Sequence, residues 1–226
     1  MQVSHRFVLI IMVMGAVMLS SIPVLHWPLK WLQTYYHEIS HGLAAFASGG
    51  DISRIVLRID GSGVCYTKGG IRSLTLMSGY LGSVFWGVLI FLSTTVKSHR
   101  VFQGMLVMLG ALLAFTLMLW ARDLVTVGII TVLMSLLVLQ WRMESVWLAK
   151  RVFQFLGVYV LVDAIKAPLN LIDGCHRGDG AMLSDLTGMP EIVWIIGWIG
   201  FALLGFYLAW LGADRQQPFH GEPLQR

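Results

Sequence analysis

Residues 101–120 read Val101-Phe-Gln-Gly-Met-Leu-Val-Met-Leu-Gly-Ala-Leu-Leu-Ala-Phe-Thr-Leu-Met-Leu-Trp120, twenty consecutive positions without an ionisable side chain. As a helix this stretch covers about 30 Å, the hydrocarbon thickness of a bilayer. A helix in a water-soluble domain keeps one polar face, and this one has none, which marks it as a membrane span. Moving outward, the same character recurs at Phe7 to Leu25, Leu74 to Thr95, Leu124 to Trp141, Val146 to Ala164 and Ile192 to Leu211. Trp120, Trp141, Trp147, Trp194 and Trp210 stand near the ends of these runs, where interfacial belts form.

The whole composition agrees. Of 226 residues, 57% are hydrophobic and 12% charged, with a mean hydropathy of +0.74, too few charges to cover a soluble globule of this size. A disordered chain and a disulfide scaffold are excluded by the hydrophobicity and by only two cysteines, Cys65 and Cys175, which read as unpaired. The net charge of +4 does not mark a nucleic-acid protein, because the Lys and Arg residues are scattered between apolar runs instead of forming a stripe. The first run has no small-residue cleavage site near Ser20-Ser21-Ile22-Pro23 and reads as an uncleaved anchor. Charge does not set the orientation: either topology places eight Lys/Arg on each side.

Two segments are of another kind. Pro28 to Ser48 reads as a helix, with Pro28 suited to its first turn and Gly49-Gly50 to its end. After it, Asp51 to Asp60 is rich in β-branched residues, Gly61-Ser62-Gly63 is a turn, and Val64 to Thr67 is a second strand. Such a hairpin cannot expose open edges to lipid, so it belongs at the interface or in a protein-lined cavity. The expected fold is therefore an all-α polytopic membrane protein of six to seven membrane helices, with a small β-hairpin after the first polar helix. It forms one domain, with an anchor at residues 1–27, the polar helix and hairpin at 28–72, a helical bundle at 73–211 and a polar tail at 212–226. The second unusual segment, Ala164 to Pro190, gathers Asp173, His176, Arg177, Asp179 and Asp185 before the last span.

Within the polar helix stands Tyr36-His37-Glu38-Ile39-Ser40-His41-Gly42, an H-E-x-x-H pattern. Positions i and i+4 share a helix face, so His37 and His41 can reach one ion of zinc size, while Glu38 is turned by about 100° towards a water beside it. Zinc would polarise a scissile carbonyl and bring the water's pKa towards 7, and Glu38 would act as general base.

His37 to Gly42, then Ser48-Gly49-Gly50, Gly61-Ser62-Gly63, Gly69-Gly70 and Ser78-Gly79-Tyr80-Leu81-Gly82 resemble the M50 intramembrane zinc peptidases, most closely the M50B-like branch related to site-2 proteases. The likeness resumes at Gly178 to Pro190 and Trp194 to Trp198, so it brackets about Thr34 to Leu211. The resemblance implies a membrane-embedded zinc endopeptidase that cuts other proteins within or beside their transmembrane helices. A catalytic zinc needs a third protein ligand. Asp179 is the first choice, since it sits where the M50B-like branch has the Asp of its Ser-Asp-Ala-like motif. Asp163 rivals it as an acid inside an apolar run. Asp173 rivals it through Pro168 to Gly174, which is similar to the Leu-Asp-Gly element of site-2 proteases but has Ile165 where an Asn is expected. Asp185 and His176 remain as further options. The sequence singles out no oxyanion donor; Asn170, His176 and Arg177 are only nearby in sequence. Either strand of the hairpin could hold an unwound substrate by edge pairing. No PDZ-like insertion is present, so selection would rest on the substrate helix or on a partner.

The expected partners are transmembrane protein substrates and the bilayer, and the expected location is a bacterial plasma membrane; nothing in the sequence sets the oligomeric state. The competing functions are a non-catalytic relative that binds or chaperones transmembrane partners and, more remotely, a metal-ion transporter. Leu74 to Trp141 offers few polar residues to line a transport path.

Overall fold

The computed structural model describes residues 5–22, 24, 26–172 and 177–214. In chain order these form α1 (His5–Leu19), α2 (Trp27–Ala47), β1 (Asp51–Leu57), β2 (Gly63–Lys68), α3 (Arg72–Thr95), α4 (His99–Leu119), α5 (Leu124–Arg142), α6 (Val146–Leu169), α7 (Asp179–Thr187) and α8 (Glu191–Asp214). Among the described residues five helices, α3, α4, α5, α6 and α8, are long and apolar enough to cross a bilayer. The chain is an all-α polytopic membrane protein with one two-stranded hairpin.

The first span departs from expectation. The Phe7 to Leu25 run supports a helix that ends at Leu19 after 15 residues. The Ser20 and Ser21 hydroxyls both donate to the Val17 carbonyl, turning the chain out of the helix, and Pro23 disfavours helical backbone just before it. The other spans fall within a few residues of the apolar runs. α8 continues to Asp214, into the stretch expected as a polar tail, whose residues 215–226 lie outside the described ones.

α3 and α6 are the central pair, with 56% and 61% of their apolar windows buried, against 28–33% for α4, α5 and α8. They approach closely at two glycines: a Cβ on Gly157 would lie 2.8 Å from both the Gly87 carbonyl oxygen and the Phe91 nitrogen. Small residues let membrane helices come into backbone contact, which is the source of their packing energy when water supplies none. The outer faces of α4 and α5 carry exposed Val107, Phe115, Leu136 and Leu139, as suits lipid contact.

α2 lies between this pair and the hairpin. Pro28 occupies its first turn and Ser48 its C-cap, with Gly49 beyond it at φ +86°. One face, with Leu32, Tyr35, Tyr36 and Ile39, joins a buried cluster that includes Trp86 of α3, Leu109 and Leu113 of α4 and Ile130 of α5. The hairpin is antiparallel, pairing Ile55 with Cys65 and Leu57 with Gly63, with an irregularity between Ile52 and Arg54. The outer edge of β1 is closed by the α4–α5 connection and the first turn of α5: Ile55 N–H donates to the Trp120 carbonyl (3.0 Å) and Leu57 N–H to Thr126 Oγ1 (2.9 Å). Protein covers one of the two edges that bare lipid would penalise.

Candidate metal centre

The α2 backbone places His37 and His41 one turn apart, and their Nε2 atoms lie 3.0 Å from each other. α7 brings a third donor from 142 positions along the chain: Asp179 Oδ2 is 3.0 Å from His37 Nε2 and 3.2 Å from His41 Nε2. Among the described residues these three form the one His/Cys/Asp/Glu group compact enough to hold a metal ion. Ligands about 2.0–2.2 Å from a tetrahedral zinc stand roughly 3.3–3.5 Å apart, so the triangle is close to the size the ion requires. Two nitrogens and one carboxylate oxygen also make a zinc donor set that leaves a fourth position open.

The surroundings orient these donors. His41 Nδ1 lies 2.6 Å from the Thr75 carbonyl oxygen. A carbonyl only accepts, so Nδ1 carries the proton and Nε2 presents its lone pair to the triangle. α3 crosses above with Gly79, where a Cβ would come within 2.5 Å of His37 Cε1 and of His41 Cε1 and Nε2. Three residues on, a Cβ at Gly82 would meet the Ser40 side chain. Ser40 is fixed in turn by donating to the Tyr36 carbonyl (2.6 Å) and accepting from Trp86 Nε1 (3.1 Å). The Gly79 and Gly82 pair thus lets α3 lie directly on the histidine face of α2. Asp179 opens α7, and Gly178, at φ +91°, is its N-cap, so Asp179 is not the capping residue. Burial alone would raise the Asp179 carboxyl, but the imidazoles of His37 and His41 beside it outweigh burial and hold the group well below the usual carboxylate range.

Glu38 is buried, and its carboxylate stands beside the Cys65 backbone of β2. β2 passes so near that a Cβ on Gly63 would lie 2.8 Å from Glu38 Cγ and 2.7 Å from Thr34 Cγ2. Beside it, burial and then the charge of Glu38 push the Cys65 thiol up to about 12. Glu38, the triangle and β2 together line a cleft of about 730 Å³, closed on the other sides by Thr75, Leu76 and Tyr80 of α3 and by Met182 of α7.

Asp163 is buried on α6 and stands outside the triangle. Asp185 is exposed on α7, and Asn170 and Arg177 are exposed and do not line the cleft. Asp173, Cys175 and His176 lie outside the described residues. Sequence reasoning gave no site role to Gly63, Gly79, Thr75 or Tyr80. The signal for α3 was the Gly79 and Gly82 spacing within Ser78 to Gly82, which marks one face of a helix free of side chains.

A family model described as Peptidase M50B-like matches residues 9–209, most of the chain. No curated protein and no solved structure was found to match.

Proposed function

The chain belongs to the M50B-like peptidase family, and we propose that it is an intramembrane zinc endopeptidase cutting transmembrane proteins within or beside their membrane helices. The observation that carries this reading is the meeting of His37, His41 and Asp179 in one cleft with the unligated Glu38. His37, His41 and Asp179 would hold the zinc, which when bound polarises a carbonyl and acidifies water. Glu38 takes a proton from the attacking water and hands it to the amide nitrogen as the C–N bond breaks. A pseudoenzyme that only binds partners has no need of that carboxylate.

A peptide bond inside a helix is shielded, so a substrate must be drawn out into extended form before it is cut. The outer edge of β2 suits this task, because β1 is already closed by the α4–α5 connection. Glu38 reaches the backbone of that same edge at Cys65, so a chain segment paired with β2 would lie beside the base. The cleft begins beside Arg72 at the start of α3, and Gly79 stands seven residues further in, about 10 Å along the helix. The scissile bond would thus enter near one membrane face, and a bacterial plasma membrane is the setting we propose.

Metal analysis and a base variant test the reading together. The purified protein should carry about one zinc, lost in His37→Ala or His41→Ala. Glu38→Gln should keep the zinc and abolish cleavage of a co-expressed single-span reporter. A folded wild type without metal overturns the enzyme reading. Cleavage unchanged in Glu38→Gln rejects the base. Zinc held by a wild type that cuts nothing favours a non-catalytic relative.

A further inference from the structure

Water attack on a peptide carbonyl places negative charge on its oxygen, and that charge needs a donor fixed in advance. The inner end of the cleft is poor in donors. Glu38 and Asp179 as carboxylates only accept, and the Nδ1 proton of His41 is committed to the Thr75 carbonyl. The Thr75 hydroxyl donates to Ile71, one turn back on its own helix. Arg72 lies out at the exposed mouth, where its guanidinium meets Met182 Sδ at 3.9 Å.

Tyr80 is the exception. Its ring stands edge-on to His37 at 4.6 Å between centroids and packs on Trp198 at 4.4 Å, with Leu76, Leu183 and Ile195 in the same cluster. A ring gripped from two sides carries its hydroxyl at a fixed place. That hydroxyl belongs to a side chain sharing the cleft wall with Asp179 and Glu38. None of the hydrogen bonds among the described residues uses it, and Tyr80 lines the cleft. The other tyrosines buried nearby are committed or remote: the Tyr35 hydroxyl pairs with Thr116 at 3.0 Å, Tyr36 stacks on Trp86, and neither lines the cleft.

We propose that Tyr80 is a catalytic residue whose hydroxyl donates a hydrogen bond to the substrate carbonyl oxygen as it becomes an oxyanion. The proton stays on the phenol throughout. The bond made is carbon to water oxygen, the bond broken is carbon to nitrogen, and the proton that reaches the nitrogen comes through Glu38. This inference rests on the peptidase reading, and the two fail in different ways.

The test uses the zinc-loaded full chain in detergent micelles and two ligands of one tripeptide sequence. One is a phosphinate, whose tetrahedral anionic centre mimics the oxyanion; the other is a ketomethylene, which is neutral and trigonal. Tyr80→Phe keeps the ring and removes only the hydroxyl. It should bind the phosphinate about 100-fold more weakly, bind the ketomethylene within about three-fold of wild type, and keep its zinc. With a cleavable single-span peptide the same variant should lower kcat and leave KM nearly unchanged. Phosphinate affinity equal to wild type in Tyr80→Phe overturns the proposal and leaves the peptidase reading standing. Equal losses for both ligands overturn it too, since they would show a packing role. A zinc-loaded wild type that binds no phosphinate overturns both readings.

Discussion

Two glycines divide the site into separable halves. Ala at position 79 would press its Cβ into both imidazoles at 2.5 Å, whereas Ala at position 63 would press on Glu38 Cγ at 2.8 Å and leave the triangle alone. Overpacking of this kind costs about 1–3 kcal/mol when rings or backbone must give way. Gly79→Ala should therefore lose most of its zinc by elemental analysis, while Gly63→Ala should keep its zinc and lose cleavage by about ten-fold or more. The third donor is tested in the same assay. Asp179→Asn should weaken zinc retention at least about ten-fold, whereas Asp163→Asn, outside the triangle, should keep the metal. The two histidines were legible because i and i+4 share a face whatever the tertiary fold. Asp179 was one of several open choices, because no local rule says which acid returns across 142 positions to meet them. Cys65 gives a test of burial: in a Cys175→Ser variant, a thiol held at about 12 should resist iodoacetamide at pH 8 and react rapidly once the protein is unfolded in SDS.

Element boundaries follow local chemistry where it is strong. The α2 helix lies within one residue of its expected range because Pro28 and Gly49 act through backbone geometry alone. β1 stops at Leu57 and not at Asp60, since the Asp60 carboxylate accepts from the Ser62 N–H (2.9 Å) and hydroxyl (2.7 Å) and folds those residues into the turn. Which hairpin edge is open was illegible in the sequence, because it depends on where the α4–α5 connection falls against Ile55 and Leu57. That placement yields a prediction for the element. Ile55 N–H donates away from β2, so its partner Cys65 also turns its N–H outward, and by alternation Thr67 N–H faces out along the β2 edge. Thr67→Pro removes this donor from the edge without touching the metal triangle. It should raise KM for a transmembrane peptide with zinc content unchanged, and Thr67→Ala should behave as wild type. Equal kinetics for the two variants would mean that substrate does not pair there.

Across the whole molecule, hydropathy predicted the membrane class and the long spans, since each needs only its own composition to be read. How the spans assemble depends on close approaches such as Gly87 with Gly157, which involve partners far apart in sequence. The same separation gives the proposed metal a structural consequence. His37 and His41 belong to α2 near the start of the chain, and Asp179 belongs to the nine-residue α7 near its end. α3 and α6 pack through contacts of their own, but α7 has only a short buried face, Gly180, Ala181 and Leu183, against α3 and α8. A ligand that binds only the folded state stabilises it by about 2.7 kcal/mol at 100 times its Kd. At about 2–4 °C per kcal/mol for a chain of this size, chelation should therefore lower Tm by roughly 5–11 °C and leave the bundle folded. Hydrogen exchange should show the protection lost on chelation concentrated in α7 and around His37 to Gly42, with Gly87 to Phe91 and Gly157 to Leu161 unchanged. In His37→Ala, Tm and exchange should no longer respond to the chelator. Equal loss of protection over α3 and α6 would mean that the bundle itself depends on the ion, and that α7 is not the element it holds in place.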